Sequence, residues 1–170
     1  MKQFILLSIV LLTSLSVFAK NVSSSRVKVE PSSIDQMIKL LDQSEKREGG
    51  TVHTRLSLVV QDNGMSTDES PRYAISLGYA SMSEWGNIFA DFKVSKNVIE
   101  LISVTNKAPG IFEIMVVELN SKSQTENTTL TVDVRKVFAD EKTLRAECEY
   151  GDCDRELKTS IEVTRTVTKN

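Results

Sequence analysis

From Thr51 to Val167, apolar side chains recur at every second position. Val52, Leu56, Leu58 and Val60 alternate with His53, Arg55 and Ser57. Tyr73, Ile75, Leu77 and Tyr79 alternate with Arg72, Ala74, Ser76 and Gly78. Ile88, Ala90, Phe92 and Val94 alternate with Phe89, Asp91 and Lys93. A period of two is the mark of a strand with one buried face, and it excludes a helical bundle. The pattern returns at Leu130–Val134, at Leu144–Cys148, and from Leu157 through Ile161 and Val163 to Val167. Two further runs, Val98–Val104 and Ile111–Leu119, are almost wholly apolar. Such runs read as central strands buried on both faces. Asp62-Asn63-Gly64, Ser95-Lys96-Asn97 and the stretch Thr105–Gly110 carry turn residues between them.

The fold class is therefore mainly β: a single antiparallel meander of about eight strands over residues 51–167, built as a sandwich or a small barrel. Short connections favour antiparallel neighbours, because a parallel crossover needs a dozen residues or more. Upstream, residues 20–50 read as a lead-in and one N-terminal amphipathic helix. Ile34, Met37, Ile38 and Leu41 have helical spacing, Ser33 and Gln36 suit a capping box, and Gly49-Gly50 is a stop. The helix is expected to cover an open end or face of the sheet. A membrane-embedded barrel fits poorly. Aromatic residues are only 6% of the chain, Ile111–Val117 does not alternate, and the helix has no place in such a barrel.

Residues 1–19 read as a secretory signal peptide. Lys2 gives a charged start, Phe4–Phe18 is apolar, and Val17-Phe18-Ala19 offers a cleavage site. The expected location is exported, periplasmic or extracellular, with no membrane span once the leader is removed. In that setting the two cysteines, Cys148 and Cys153, read as a disulfide across a hairpin turn. The chain of 170 residues carries 21 basic and 23 acidic side chains, a net charge of −2. No basic stripe is present, so no nucleic-acid partner is expected.

Catalytic constellations are missing from the sequence. His53 is the only histidine, no nucleophile elbow surrounds Ser57 or any other serine, and no glycine-rich phosphate loop occurs. The chain is read as a non-enzyme with no cofactor and no metal. Two cysteines and one histidine fall short of a zinc set. The acidic residues Glu147, Glu149, Asp152, Asp154 and Glu156 read as a solvated tip, with calcium the sharper alternative. Asn21 and Asn127 begin glycosylation triplets.

Aromatic residues concentrate between Tyr73 and Phe92. Trp85 beside Gly86, together with Tyr79, is the candidate binding position, because tryptophan favours interface hot spots; a tryptophan packed under the sheet is the plainer alternative. The expected function is an exported β-rich binding domain whose partner is a protein, a surface polymer or a small apolar ligand. A carboxylate-dependent envelope hydrolase and a structural envelope component are the alternatives.

Overall fold

The computed structural model describes residues 36–47, 50–64, 72–148 and 152–168. The leader, the lead-in through residue 35, the Asn21 triplet and the middle of the cysteine turn lie outside the described residues.

The elements run in the order β1 (Gln36–Arg47), β2 (Gly50–Asp62), β3 (Tyr73–Ser83), β4 (Gly86–Ala108), β5 (Ile111–Leu119), β6 (Thr125–Asp133), α1 (Arg135–Ala146), β7 (Arg155–Glu156) and β8 (Glu162–Thr168). They form one eight-stranded sheet with the path β1-β2-β3-β4-β5-β6-β8. Every pair on that path is antiparallel. The short β7 lies parallel on the start of β4, pairing Ile88 with Arg155 and Phe89 with Glu156. The expected antiparallel meander is present, but as one open sheet with β1 and β8 at its two edges, neither closed into a barrel nor split into the two sheets of a sandwich.

Strand β4 shapes the sheet. Its first half pairs with β3, from Gly86 opposite Ser83 to Val98 opposite Tyr73. Its second half pairs with β5, from Val98 opposite Glu118 to Ala108 opposite Ile111. Laid straight, its 23 residues would span about 75 Å. Yet its first residue and the turn just beyond its last residue reach the two ends of the same 12-residue helix, which is only about 18 Å long. The Gly86 carbonyl accepts from Arg145 at 3.4 Å, and the Gly110 carbonyl accepts from the Val134 amide at 2.8 Å. The strand must therefore bend, and breaks in register cluster near residues 93–103. The Ser95-Lys96-Asn97 signal marks this bend and change of partner rather than the end of a strand.

One face of the sheet holds the core. Leu56, Leu58, Ile75, Leu77, Ile88, Val98, Leu101, Phe112, Ile114, Val116, Leu130 and Val132 are all almost fully buried. Strand β5 buries Phe112, Ile114 and Val116, while Ile111, Val117 and Leu119 are half-buried and Met115 is exposed. The solid apolar runs are central in the sheet, as read, but they bury one face rather than two.

Two helix assignments differ from the sequence reading. Residues 36–47 are a strand, not an N-terminal helix. Strand β1 carries a bulge: Lys39 pairs with Ser57 and Leu41 with Leu56, so Leu40 is skipped. An extra residue shifts the period locally from two to three. Ile38, opposite Leu58, and Leu41, opposite Leu56, then share the core face, mimicking a helical stripe. The helix is α1, which includes Leu144 and Ala146, read as strand positions. Its buried side chains are Val137, Glu141 and Arg145, a four-residue spacing in which two of three members are charged. The Asp133 carboxylate accepts from the Arg135 amide at 2.9 Å, placing a negative charge at the helix start, where the peptide dipoles favour it.

Cys148 follows α1 directly. Its Cα lies 5.3 Å from that of Cys153, with the sulfurs at bonding distance. The pair therefore ties the helix end to the segment leading into β7, rather than closing a β-hairpin. With so short a loop, replacing both cysteines by serine is expected to lower unfolding free energy by about 2 kcal/mol. Paired thermal melts check this, and intact mass with and without reductant reports the bridge itself. Among the described residues, no helix is long and apolar enough to cross a membrane.

Candidate functional site

Helix α1 docks on the sheet through a buried ion pair as well as through Val137, Phe138 and Leu144. The side chains of Glu141 and Arg145 are 2% and 8% exposed. Burying an ion is costly unless each polar atom finds a partner. Here the partners are supplied. Arg145 Nε donates to Glu141 Oε1 at 2.7 Å. Its Nη1 donates to Ser83 Oγ at 2.6 Å and to the Gly86 carbonyl. Its Nη2 donates to the Ser81 carbonyl at 2.8 Å and to Ser81 Oγ at 3.1 Å. These five bonds use all five guanidinium N–H groups. Ser81 Oγ donates to Glu141 Oε1 at 2.7 Å, and Arg47 Nη1 donates to Glu141 Oε2 at 3.2 Å.

Burial pushes the Glu141 carboxyl up. Hydrogen bonds from Arg145 and Ser81 and the charge of Arg47 outweigh that, so the net shift is downward. Tyr79 lies beneath this cluster, 2% exposed. Its ring packs on Phe138 with centroids 6.0 Å apart. Burial first, and then the Glu141 charge, raise its phenol well above the usual value.

Above the cluster opens a cleft of about 410 Å³, lined by Arg47, Gly50, Val52, Ser83, Trp85, Lys142, Arg145 and Ala146. Three pieces of the chain build it: the β1–β2 turn, the β3–β4 turn and the last turns of α1. Trp85 sits on its wall, held from behind. The Trp85 carbonyl accepts from the Cys153 amide at 2.9 Å, and the Trp85 amide donates to Ser83 Oγ at 3.2 Å. Arg47 is shared with Glu45 at 2.9 Å, and the Glu84 carboxylate lies over Gly50. Three cations at the cleft thus face three carboxylates, Glu45, Glu84 and Glu141, so the site has little net charge. Arg145 is saturated within the protein. Polar reach toward a ligand falls to Lys142 on the exposed rim and to Arg47.

The two sequence candidates separate. Trp85 lines the cleft, whereas Tyr79 is a core residue under the helix. Arg47, Val52, Lys142 and Ala146 carried no signal in the sequence, because the cleft exists only after three distant segments converge. His53 is exposed, its Nδ1 sharing a hydrogen bond with Ser44 Oγ at 2.7 Å. Of the acidic group, Asp154 accepts from the Asn87 amide at 2.7 Å and its Nδ2 at 3.0 Å, pinning the β7 segment to β4. Among the described residues, no three His, Cys, Asp or Glu side chains gather as a metal site. A second cleft of about 550 Å³ lies between Asp133, Arg135, Lys136, Ser160, Ile161 and Glu162. Its Arg135 is already bound to Asp133 through both Nε and Nη2.

In comparisons with known proteins, no family model, no curated protein and no solved structure matches this chain.

Proposed function

We propose that this chain is an exported, non-catalytic binding domain, and that the cleft beside Trp85 holds a small ligand with an apolar body and a polar end. The observation that carries the reading is the cleft itself. An indole, Val52 and Ala146 offer apolar walls, and Lys142 and Arg47 offer donors at the rim. Its volume falls in the range used for small ligands, about 300–1,000 Å³. The leader pattern of residues 1–19 supports export, and a cysteine pair at bonding distance is consistent with an oxidising compartment. The Glu141 carboxyl is shifted downward, opposite to what an acid catalyst at neutral pH needs.

The test uses the sole tryptophan as reporter. Titrating the protein with the neutral dye N-phenyl-1-naphthylamine is expected to quench Trp85 emission saturably, with one dye per chain. Ala146→Phe, which fills the cleft from an exposed helix position, is expected to weaken dye binding at least tenfold, read from the dye's own fluorescence. No saturable change, or unchanged affinity in the variant, overturns the reading.

A further inference from the structure

The two edges of the open sheet are unlike. Strand β1 is guarded by the usual devices against edge pairing: a bulge at Leu40 and lysines at 39 and 46. Strand β8 has neither. Its sequence, Glu162-Val163-Thr164-Arg165-Thr166-Val167-Thr168, is mostly β-branched, without proline or lysine. Its register on β6 is unbroken from Glu162 opposite Asp133 to Thr168 opposite Asn127. Its one inward charge, Arg165, is neutralised by the buried Glu118, which also accepts from Ser95 Oγ at 2.8 Å. Val167, on the same face as Arg165, is 47% exposed. Among the described residues, no strand pairs with the far edge of β8.

We infer that β8 is a docking edge for the β8 strand of a second copy of this chain, joined antiparallel about a two-fold axis at Arg165. That axis sets every residue of the strand except Arg165 opposite a suitable partner. Val163 faces Val167 twice on the core side, Thr164 faces Thr166 twice on the solvent side, and Glu162 faces Thr168 at both ends. Apolar β-branched pairs and threonine pairs each favour cross-strand association. The two Arg165 side chains meet at the axis, each already held by its own Glu118. A self-complementary strip of this kind is what a two-fold interface requires. The paired edges would make one sheet continuous through both copies.

Sedimentation equilibrium on the chain lacking residues 1–19 tests this. The expected result is a species of twice the monomer mass that dissociates on dilution. Val167→Lys and Thr166→Lys each place a charge on exposed positions inside the strip and are expected to give monomer, with circular dichroism and melting temperature unchanged. Met37→Lys on β1, an exposed position at the other edge, is expected to leave the dimer intact. A monomer up to about 1 mM overturns the proposal. So does a dimer that survives both β8 variants or is lost in the β1 variant. A monomer whose β8 amides resist hydrogen exchange shows that another part of this chain covers the edge, and it also overturns the proposal.

Discussion

Replacing Arg145 by methionine is expected to lower unfolding free energy by about 3–5 kcal/mol, measured by urea denaturation. Removing one partner of a buried ion pair strands the other charge, and the stranded charge carries most of that loss. Here Glu141 would keep only Ser81 and Arg47. Replacing Glu141 and Arg145 together, by leucine and methionine, is expected to recover most of the loss, because two apolar side chains of similar volume leave no unmet ion. A single-variant loss below about 1 kcal/mol would show that the network contributes little. The pH dependence carries its own sign. A carboxyl held below its ordinary value of 4.5 in the folded protein contributes stability above that value. The contribution fades as pH falls toward the lowered one. In the Arg145→Met variant, burial regains weight against the remaining partners, so acid unfolding is expected to begin at higher pH than in the parent.

The second large effect is expected at Gly86. Its φ is +122°, a region that side-chain-bearing residues rarely adopt. A Cβ there would lie 2.7 Å from the Cys153 carbonyl carbon and 3.0 Å from the Asp154 nitrogen. Both obstacles are backbone, and that backbone is pinned by Cys153 to the Trp85 carbonyl and by Asp154 to Asn87. Neither can swing aside as a flexible side chain would. Gly86→Ala therefore adds backbone strain to overpacking and is expected to lower unfolding free energy by about 2–5 kcal/mol. The same displacement moves Trp85, so its emission maximum is expected to shift in the folded variant. Normal stability in this variant would mean that the β3–β4 turn and the β7 segment are not in the close contact described.

The sheet was legible where one rule, alternation, acted alone. Strands β2, β3 and β6 and the core side of each follow from residue parity. The reading failed where a second effect disturbed the period. The bulge at Leu40 moved Ile38 and Leu41 onto one face and imitated a helix. In α1 the buried stripe runs through Glu141 and Arg145, so a search for apolar spacing finds almost nothing there. Only the partners supplied by Ser81, Ser83 and Arg47, about a hundred residues away at the furthest, make those burials affordable. Trp85 was visible as a candidate because tryptophan is rare and sits beside a turn glycine. The remaining cleft residues are ordinary until the fold brings them together, and Tyr79 belonged to the core for a reason parity already contained.

The ion network joining α1 to β1 and β3 has a bearing on how the polypeptide matures. Glu141 and Arg145 reach their partners only when the ribosome has passed them. Until then Ser81, Ser83 and Arg47 lack their partners on the helix, and the bent β4 has no brace between its ends. Contacts of such long sequence separation slow the search for the native state. The brace between the two ends of β4 can therefore close only after strands β1 to β6 have all been synthesised.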